Sequence, residues 1–388
     1  MKKILTIANV LGRQVKEILP NKKGLEFTMK KKKIRLYLGV DPTGKYLHLG
    51  HTIVLRKLQQ FADLGHEAIL VVGTGTVLAG DPSQRAIARP LITQQEIKEN
   101  IKTWKKQASK ILDFSKIKMR FNGDWLLKLQ LPDIVTIASN ISAAHLFQRD
   151  MFQARLKRGD TVWTHELLYP LLQGYDSVAL EVDLEIGGTD QLFNMLVGRE
   201  LQKKMRNREK YVLTTPMLLG LDGNPMSKTS GNTVNILDDP QDMYGKLMSM
   251  KDDLIPHYFE LCTEVRPEEI KNLAPRDAKA RLAREIVTLY HSKAAAKKAE
   301  QEFNAVFQKG QIPSEIQRFG MEQIPMPLNL TNLVFKVGLA NSKSEARRLI
   351  AQGGIKVDGK VKKDPVSVVQ LRKGMVLQKG KRRFIEIA

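Results

Sequence analysis

The chain has 388 residues, enough for two or three domains and a sizeable hydrophobic core. Its formal net charge of +22 favours a polyanionic partner, either a nucleic acid or an acidic membrane surface, although a generally basic proteome would give the same total. The single cysteine, Cys262, excludes an internal disulfide framework and a cysteine-based zinc site. Without a run of apolar residues long enough to span a membrane, the composition predicts a cytoplasmic protein.

The first third of the chain contains a βαβ pattern. Residues 36–40 form an apolar strand, residues 51–65 show helical spacing that ends at a glycine, and residues 68–72 form a second strand. Such a unit implies a parallel sheet that binds ligands at the carboxyl ends of its strands. Residues 182–186 predict a further strand, and residues 240–308 are mainly helical in pattern. The predicted fold class is therefore α/β, with a Rossmann-like parallel sheet followed by an α-helical region.

The segment between the first strand and its helix contains His48-Leu-Gly-His51. This arrangement suits a nucleoside triphosphate, whose chemistry can depend on positioning and electrostatic stabilisation rather than on a protein nucleophile. His48 and the Thr43 hydroxyl can donate to phosphates, Gly50 leaves room for a nucleotide, and a helix N-terminus favours an anion. A packed or surface pair of histidines would show the same spacing. A metal pair is disfavoured, because no third ligand lies nearby in the sequence.

Two glycine-containing motifs follow predicted strands and so fall at the ligand edge of the sheet. In Gly-Asp-Pro-Ser, Asp81 can hold an ammonium group. In Gly-Gly-Thr-Asp-Gln, Gly188 lets the backbone approach a ribose, Asp190 can accept from ribose hydroxyls, and Gln191 can reach a carboxylate. Turns that merely join a strand to a helix would use the same residue types.

A helical segment further along the chain carries three polar residues on one face. Tyr169, Gln173 and Asp176 fall at positions i, i+4 and i+7. Leucines surround them, which favours the lining of a polar pocket over an amphipathic surface helix.

A loop composition surrounds Pro225-Met-Ser-Lys228. A mobile loop of this kind can close over a triphosphate and place the Lys228 ammonium on the leaving group. Met226 and Ser227 are then candidate ATP contacts. An ordinary surface turn would have the same composition.

The end of the chain is strongly basic. Residues 327–388 hold 14 Lys and Arg against 4 Asp and Glu, a net charge of +10. Ser342 and Glu345 form a capping box that opens a helix, a double glycine ends it, and a hairpin with an Asp-Gly turn follows. A generic α/β appendage would share this outline. This helix, double glycine and basic hairpin resemble a small RNA-binding module, and the resemblance implies RNA contacts by Lys343, Arg347, Arg348, Lys356 and Lys360.

In order and spacing, these motifs resemble those of bacterial-type tyrosyl-tRNA synthetases over essentially the whole chain. His48-Leu-Gly-His51 and Pro225-Met-Ser-Lys228 resemble the paired signatures of class I aminoacyl-tRNA synthetases. The basic end of the chain resembles the RNA-binding module of a ribosomal small-subunit protein. The resemblance implies activation of L-tyrosine with Mg-ATP to tyrosyl-adenylate, then transfer to the 3′-terminal adenosine of tRNA(Tyr). It also implies a homodimer without membrane association and without a protein-bound metal.

The resemblance further implies a role for each motif residue. The phenolic hydroxyl of tyrosine would be bound by Tyr37 and Asp176. The α-ammonium would be held by Tyr169, Gln173 and Asp81, and Gln191 would help to place the carboxylate. The adenosine site would be lined by Asp41, His51, Gly188 and Asp190, and the pyrophosphate would be stabilised by Thr43, His48 and Lys228.

Four segments follow from the resemblance. They are a Rossmann-like catalytic domain at 1–217 with a dimer-interface insertion at about 120–165, a signature loop with an α-helical tRNA-contacting domain at 218–310, a linker at 311–330, and a small basic α+β RNA-binding module at 331–388.

One departure from the family pattern is Pro225, which stands where the second signature usually begins with a lysine. We expect the task of that lysine to shift onto Lys228. Two alternatives stay open. Charging of tryptophan is one, against which the predicted pair of partners for a phenol argues. A catalytically impaired paralogue that acts as an RNA-binding protein is the other, and Pro225 is its only support.

Overall fold

The computed structural model describes residues 5–83, 92–226, 231–308, 317–323, 328–380 and 383–388. The chain forms two units, Met1–His291 and Ser292–Ala388. The first unit contains the helices α1 (Ile7–Val10), α2 (Lys22–Lys31), α3 (Leu49–Asp63), α4 (Thr76–Ala79), α5 (Gln94–Ile101), α6 (Trp104–Ala108), α7 (Gly123–Leu126), α8 (Leu131–Ser139), α9 (Ala143–Phe147), α10 (Asp150–Lys157), α11 (Thr164–Leu180), α12 (Leu192–Arg206), α13 (Pro240–Met248), α14 (Ile255–Cys262) and α15 (Pro275–Tyr290). Its strands are β1 (Glu17–Leu19), β2 (Arg35–Val40), β3 (Glu67–Val72), β4 (Ile117–Phe121), β5 (Leu184–Gly188) and β6 (Tyr211–Thr215).

These six strands form one sheet in the order β1-β6-β5-β2-β3-β4. Strand β1 is antiparallel to β6, and every other neighbouring pair is parallel. The βαβ unit predicted from the sequence is confirmed as β2, α3 and β3, with Tyr37 opposite Ile69. Helix α3 begins at Leu49 and Gly65 follows it with a φ of 87°, as the pattern indicated. The α/β fold class with a parallel sheet is therefore confirmed.

The centre of the sheet is buried on both faces, which explains its nearly continuous apolar sequence. In β3, the segment from Ala68 to Val72 is at most 4% exposed at every position. Strands of a parallel sheet that is covered by helices on both faces have this composition. Helix α3 packs against the sheet with Leu55 and Leu58, both almost completely buried.

Strand β5 begins at Leu184, two residues later than the sequence predicted. The Asp183 carboxylate accepts a hydrogen bond from the Arg35 backbone N–H at 2.9 Å. In a longer strand, a backbone carbonyl oxygen would accept this hydrogen bond instead. Lys32 and Arg208 also donate to Asp183. Burial raises the pKa of Asp183, but these hydrogen bonds outweigh burial and the pKa lies below its ordinary value. The strand also ends two residues later than predicted, at Gly188, so the paired glycines lie inside the ladder instead of after it.

The second unit contains α16 (Lys293–Gln308), α17 (Leu330–Lys336), α18 (Lys343–Ala351), β7 (Gln317–Phe319), β8 (Ile355–Val357), β9 (Lys360–Lys362), β10 (Val376–Lys379) and β11 (Arg383–Ile387). Its strands form a sheet in the order β7-β11-β10-β8-β9. The core includes Leu333, Ile350, Leu377 and Ile387. Part of the range 311–330 belongs to this sheet as β7, while the segment boundaries given above stay predictions.

Local sequence signals in the second unit are confirmed, except that only half of the predicted capping box forms. The Glu345 N–H donates to Ser342 Oγ at 3.1 Å at the start of α18, while the Glu345 carboxylate accepts from the Asn341 N–H instead of from Ser342. Strands β8 and β9 form the predicted hairpin, with positive φ at Asp358 and Gly359. Within the described part of the chain, none of the helices combines the length and apolar character that crossing a bilayer requires.

Candidate functional site

A cavity of about 670 Å³ opens at the carboxyl ends of β2, β5 and β6. A sheet of this type places its ligands at that edge. Most of the predicted tyrosine and ATP residues line this one cavity: Asp41, Thr43, His48, Gly50, His51, Asp81, Tyr169, Gln173, Asp176, Gly188, Asp190, Gln191 and Met226. The segments that carry them are up to 185 residues apart in sequence, from Asp41 to Met226. Ser227 and Lys228 lie outside the described residues.

The two histidines form the beginning of α3. His48 Nδ1 accepts the Gly50 N–H at 3.2 Å, and His51 Nδ1 accepts the His48 N–H at 3.1 Å. A ring nitrogen that accepts a hydrogen bond carries no proton, so these contacts assign the proton of each neutral imidazole to Nε2. A Cβ at Gly50 would lie 3.1 Å from the His48 ring and 3.3 Å from Met226 Sδ. The missing side chain therefore lets the His48 ring fold back onto its own helix, and both histidines line the cavity.

Asp41, the residue after β2, accepts hydrogen bonds from Tyr169 and Thr76. Its Oδ2 accepts from the Tyr169 hydroxyl at 2.9 Å, and its Oδ1 accepts from Thr76 Oγ1 at 2.7 Å. Burial, reinforced by the charges of Asp41 and Asp81, raises the pKa of Tyr169 well above its ordinary value. Tyr169 is thus a neutral hydroxyl whose proton is committed to Asp41. Its oxygen lone pairs remain acceptors, which suits an ammonium group.

Asp176 lies at the buried end of the cavity, 2% exposed, and accepts two hydrogen bonds from side chains. The Trp125 indole N–H donates to Oδ1 at 2.8 Å, and Asn122 Nδ2 donates to Oδ2 at 3.1 Å. Burial raises the pKa of Asp176 well above its ordinary value in spite of these two donors. Each carboxylate oxygen keeps a further lone pair, so Asp176 can accept from a ligand hydroxyl.

Tyr37, the other predicted partner of a phenol, is not among the residues that line the cavity. It is fully buried, and its hydroxyl lies 3.2 Å from Ser177 Oγ and 3.4 Å from the Gln173 carbonyl oxygen. Its role toward a substrate hydroxyl stays a prediction, and it requires the hydroxyl to exchange these partners.

Gln191 connects two acidic residues of the cavity. Its Nε2 donates to Asp81 Oδ2 at 2.9 Å and to Asp190 Oδ2 at 3.0 Å, and its Oε1 accepts from Asn194 at 3.0 Å. Burial raises the pKa of Asp190, and the charge of Asp81 acts in the same direction. With its amide occupied in this way, Gln191 orients the two carboxylates. Its predicted contact with a substrate carboxylate is untested.

The turn before the undescribed residues is well anchored. Pro225 and Met226 line the cavity, and Asn232 donates to the Pro225 carbonyl at 3.1 Å and to Asp222 at 2.9 Å. Hydrogen bonds from Asn224 and Asn232 lower the pKa of Asp222 to about 2. The stem of the predicted loop therefore has a defined position at the cavity.

The predicted RNA contacts belong to the second unit. Lys343, Arg347 and Arg348 are exposed on α18, whose buried face is formed by Ala346 and Ile350. The two other predicted residues lie on the hairpin, where Lys360 is exposed and Lys356 is half-buried. Four of the five basic residues are thus accessible to a phosphate backbone.

Sequence reasoning missed several residues that organise the cavity, namely Asn122, Trp125, Ser83, Arg149 and Asn194. Asn122 directly follows β4, so a recognised strand there would have identified it. Arg149 is 7% exposed and donates to Ser83 Oγ at 2.8 Å, with its guanidinium over Phe193. No local pattern marks Arg149, because its partners come from distant parts of the chain.

Comparisons with known proteins identify the family of this chain. Residues 29–308 match the family described as tRNA synthetases class I (W and Y), and residues 329–375 match the S4 domain. A protein named tyrosine–tRNA ligase from Thermotoga maritima is 43% identical, over 98% of this chain and 96% of its own length. One of the same name from Moorella thermoacetica is 42% identical, over 97% of this chain and 94% of its own length. The resemblance drawn from the motifs is confirmed.

Solved structures show the same fold. A C-terminally truncated mitochondrial tyrosyl-tRNA synthetase from Aspergillus nidulans aligns with a TM-score of 0.65 at 21% identity, covering 79% of this chain and 95% of its own. A tyrosyl-tRNA synthetase complexed with L-tyrosine from Archaeoglobus fulgidus aligns with a TM-score of 0.62 at 22% identity, covering 76% of this chain and 98% of its own.

Proposed function

This chain belongs to the class I family of tRNA synthetases for tryptophan and tyrosine, and we propose that it is a tyrosine–tRNA ligase. The carboxylate of L-tyrosine attacks the α-phosphorus of ATP, the bond to pyrophosphate breaks, and tyrosyl-adenylate forms. A hydroxyl of the 3′-terminal adenosine of tRNA(Tyr) then attacks the activated carbonyl and releases AMP. The observation that carries the proposal is the shared cavity, which combines a buried hydroxyl acceptor, Asp176, with the two histidines of α3.

Recognition of the amino acid is assigned to the acidic side of the cavity. Asp176 is the partner of the phenolic hydroxyl, while Tyr169, Gln173 and Asp81 surround the α-ammonium. A site built around a buried acceptor rejects phenylalanine, because the acceptor would be left without its partner, and discrimination on the order of 10⁴–10⁵ is reachable this way without editing. An indole N–H could also donate to Asp176, so tryptophan is the competing substrate that the experiment must include.

Activation is assigned to the histidine side of the cavity. Negative charge moves onto the pyrophosphate as it leaves, and the Nε2–H groups of His48 and His51 are donors that need no reorganisation, since their Nδ1 atoms are fixed by the backbone. Thr43 and Lys228 are proposed as further donors to the phosphates, with Ser227 and Met226 as ATP contacts. Asp41, Gly188 and Asp190 are proposed to contact adenosine. Magnesium is proposed to arrive with ATP as the counterion of its phosphates.

ATP–pyrophosphate exchange with each of the twenty amino acids, without tRNA, tests the proposal. Exchange driven by tyrosine alone is the expected result. Exchange driven by tryptophan or another amino acid would keep the reaction and overturn the assignment of Asp176. No exchange with any amino acid would favour the RNA-binding paralogue, and Pro225→Lys would then be the first variant to make.

The second unit is proposed to bind the tRNA. The match of residues 329–375 to the S4 domain and the exposed Arg347 and Arg348 support this assignment. Contacts with phosphates make affinity fall with salt, so charging should be more sensitive to salt than adenylate formation is. The cytoplasm is the proposed location.

A homodimer is proposed from a surface of the first unit. Large apolar side chains are exposed across the predicted insertion at 120–165: Leu127 at 61%, Leu131 at 73%, Val135 at 58%, Leu156 at 47% and Trp163 at 54%. A concentration of exposed apolar residues is typical of a surface that another chain covers. We propose that the covering chain is a second copy, as in the family that the motifs resemble.

A further inference from the structure

A fully buried ion pair lies directly behind the amino-acid side of the cavity. Lys210 pairs with Glu185, and their side chains are 0% and 2% exposed. Lys210 Nζ also donates to Ser177 Oγ at 2.8 Å. A Cβ at Gly198 would lie 2.7 Å from Lys210 Nζ, so the glycine of α12 leaves the space that the ammonium occupies. Burying two charges is costly unless close pairing and further hydrogen bonds compensate, as the contact with Ser177 does here.

The ion pair contacts the cavity through Gln173. Gln173 Nε2 donates to Glu185 Oε1 at 3.1 Å. An ionised carboxylate only accepts hydrogen bonds, so it selects the orientation of the Gln173 amide in which the nitrogen faces Glu185. The Gln173 Oε1 atom is then the remaining polar atom of the side chain. It is buried and has no hydrogen-bond partner among the described residues.

A buried carbonyl oxygen without a partner is costly unless a ligand satisfies it. Gln173 lines the cavity, and so do the carboxyl groups of Asp41, Asp81, Asp176 and Asp190. An acceptor oxygen among carboxyl groups favours a cationic ligand group that donates hydrogen bonds, and an ammonium group has both properties.

We propose that Glu185 and Lys210 are positioning residues that set the specificity of the cavity for an ammonium group. Glu185 holds the Gln173 amide so that Oε1 is the unpaired acceptor that an ammonium group would satisfy, and Lys210 offsets the buried charge of Glu185. The inference deepens the proposed function and rests on it, because it assigns this amide to the α-ammonium of tyrosine.

Glu185→Gln tests the inference with almost no change in volume. The new amide can donate as well as accept, so the orientation of Gln173 is no longer imposed. Dissociation constants are compared for L-tyrosinol and for 3-(4-hydroxyphenyl)propan-1-ol, which differs only by lacking the amine. Affinity for tyrosinol is expected to fall on the order of tenfold, while affinity for the alcohol without the amine stays the same. Equal losses for both ligands, or no loss for either, would overturn the inference.

Two further variants complete the experiment. The double variant Glu185→Gln with Lys210→Met removes both charges together, and it is expected to show the same selective loss even where the single variant folds poorly. Glu166→Gln is the matched control, because Glu166 and Arg155 form another ion pair whose side chains are both 2% exposed. That variant should lose stability without any difference between the two ligands.

ATP–pyrophosphate exchange by the unaltered protein shows whether a failure concerns this inference or the proposed function. Tyrosine-driven exchange combined with equal losses for the two ligands would refute only the role of Glu185 and Lys210. Absence of exchange combined with a selective loss for tyrosinol would refute the proposed reaction and keep the ammonium site.

Discussion

Replacement of Asp176 by asparagine tests the recognition of the substrate hydroxyl most directly. Both carboxylate oxygens accept from buried donors, Trp125 Nε1 at 2.8 Å and Asn122 Nδ2 at 3.1 Å. The amide nitrogen of asparagine would face one of these donors, whichever way the side chain is oriented. One hydrogen bond inside the protein is therefore lost, and so is the ionisable acceptor offered to the ligand.

Two magnitudes follow from this geometry. A buried donor left without a partner costs about 1–3 kcal/mol, which we expect as a lower free energy of unfolding for Asp176→Asn. A hydrogen bond to a charged group contributes about 1.5–3 kcal/mol, so kcat/KM for tyrosine should fall roughly 10- to 150-fold. Phenylalanine has no hydroxyl to lose a partner, and its kcat/KM should change much less. The preference for tyrosine over phenylalanine should shrink by nearly the same factor.

ATP–pyrophosphate exchange with tyrosine and with phenylalanine measures both values on the same preparation, and urea unfolding measures the stability. Asp183→Asn is a suitable control, because it removes another buried carboxylate of the first unit that does not line the cavity. An equal fall in kcat/KM for the two amino acids would refute the reasoning, since it would mean that Asp176 acts only by supporting the fold.

Three further predictions concern the tRNA, the dimer and acid stability. The double variant Arg347→Gln with Arg348→Gln should bind tRNA with a weaker dependence on salt and should form the adenylate as the wild type does. The slope of log affinity against log salt concentration should decrease by about 0.7–0.9 for each lost phosphate contact. An unaltered slope in filter binding would contradict the assignment. Leu131→Glu with Val135→Glu should give a monomer in analytical ultracentrifugation, whereas an intact dimer would exclude this surface. Because the pKa of Asp183 lies below its unfolded value of 3.8, its stabilising contribution is present above that value and is lost as the pH falls through the folded pKa. The stability difference between the wild type and Asp183→Asn, measured by urea unfolding, should therefore shrink below about pH 4, and a constant difference would contradict it.

The sequence predicted the parts of the fold whose signal is local and strong. Strands β2 and β3 are apolar from their second residue onward, and the cap of α18 and the Asp358-Gly359 turn are signals of a few adjacent residues. Strand β4 lies at the edge of the sheet and alternates buried and accessible residues, so its Ile-Lys-Met-Arg-Phe sequence resembles a charged loop. Strand β1 has only three residues and pairs antiparallel with β6, which no pattern within it could indicate. Short edge strands depend on neighbours that are distant in sequence.

The residues of the candidate site likewise fall into those that the sequence predicted and those that only the structure revealed. The predicted residues that line the cavity lie in motifs that follow a strand or, like Tyr169, Gln173 and Asp176, share one face of α11, so spacing and resemblance identified them. The residues proposed to orient those side chains belong to no motif, because their position follows only from packing. In the sequence, Glu185 is a single charged residue in an apolar strand, and Lys210 is one of many lysines. Their burial at 2% and 0% is what distinguishes them. Tyr37 shows what a motif cannot predict. Its motif indicates a residue at the cavity, but its hydroxyl contacts Ser177 and the Gln173 backbone instead. Sequence motifs therefore identified the residues that line the cavity, and the structure was needed to find the buried residues that hold their side chains in place.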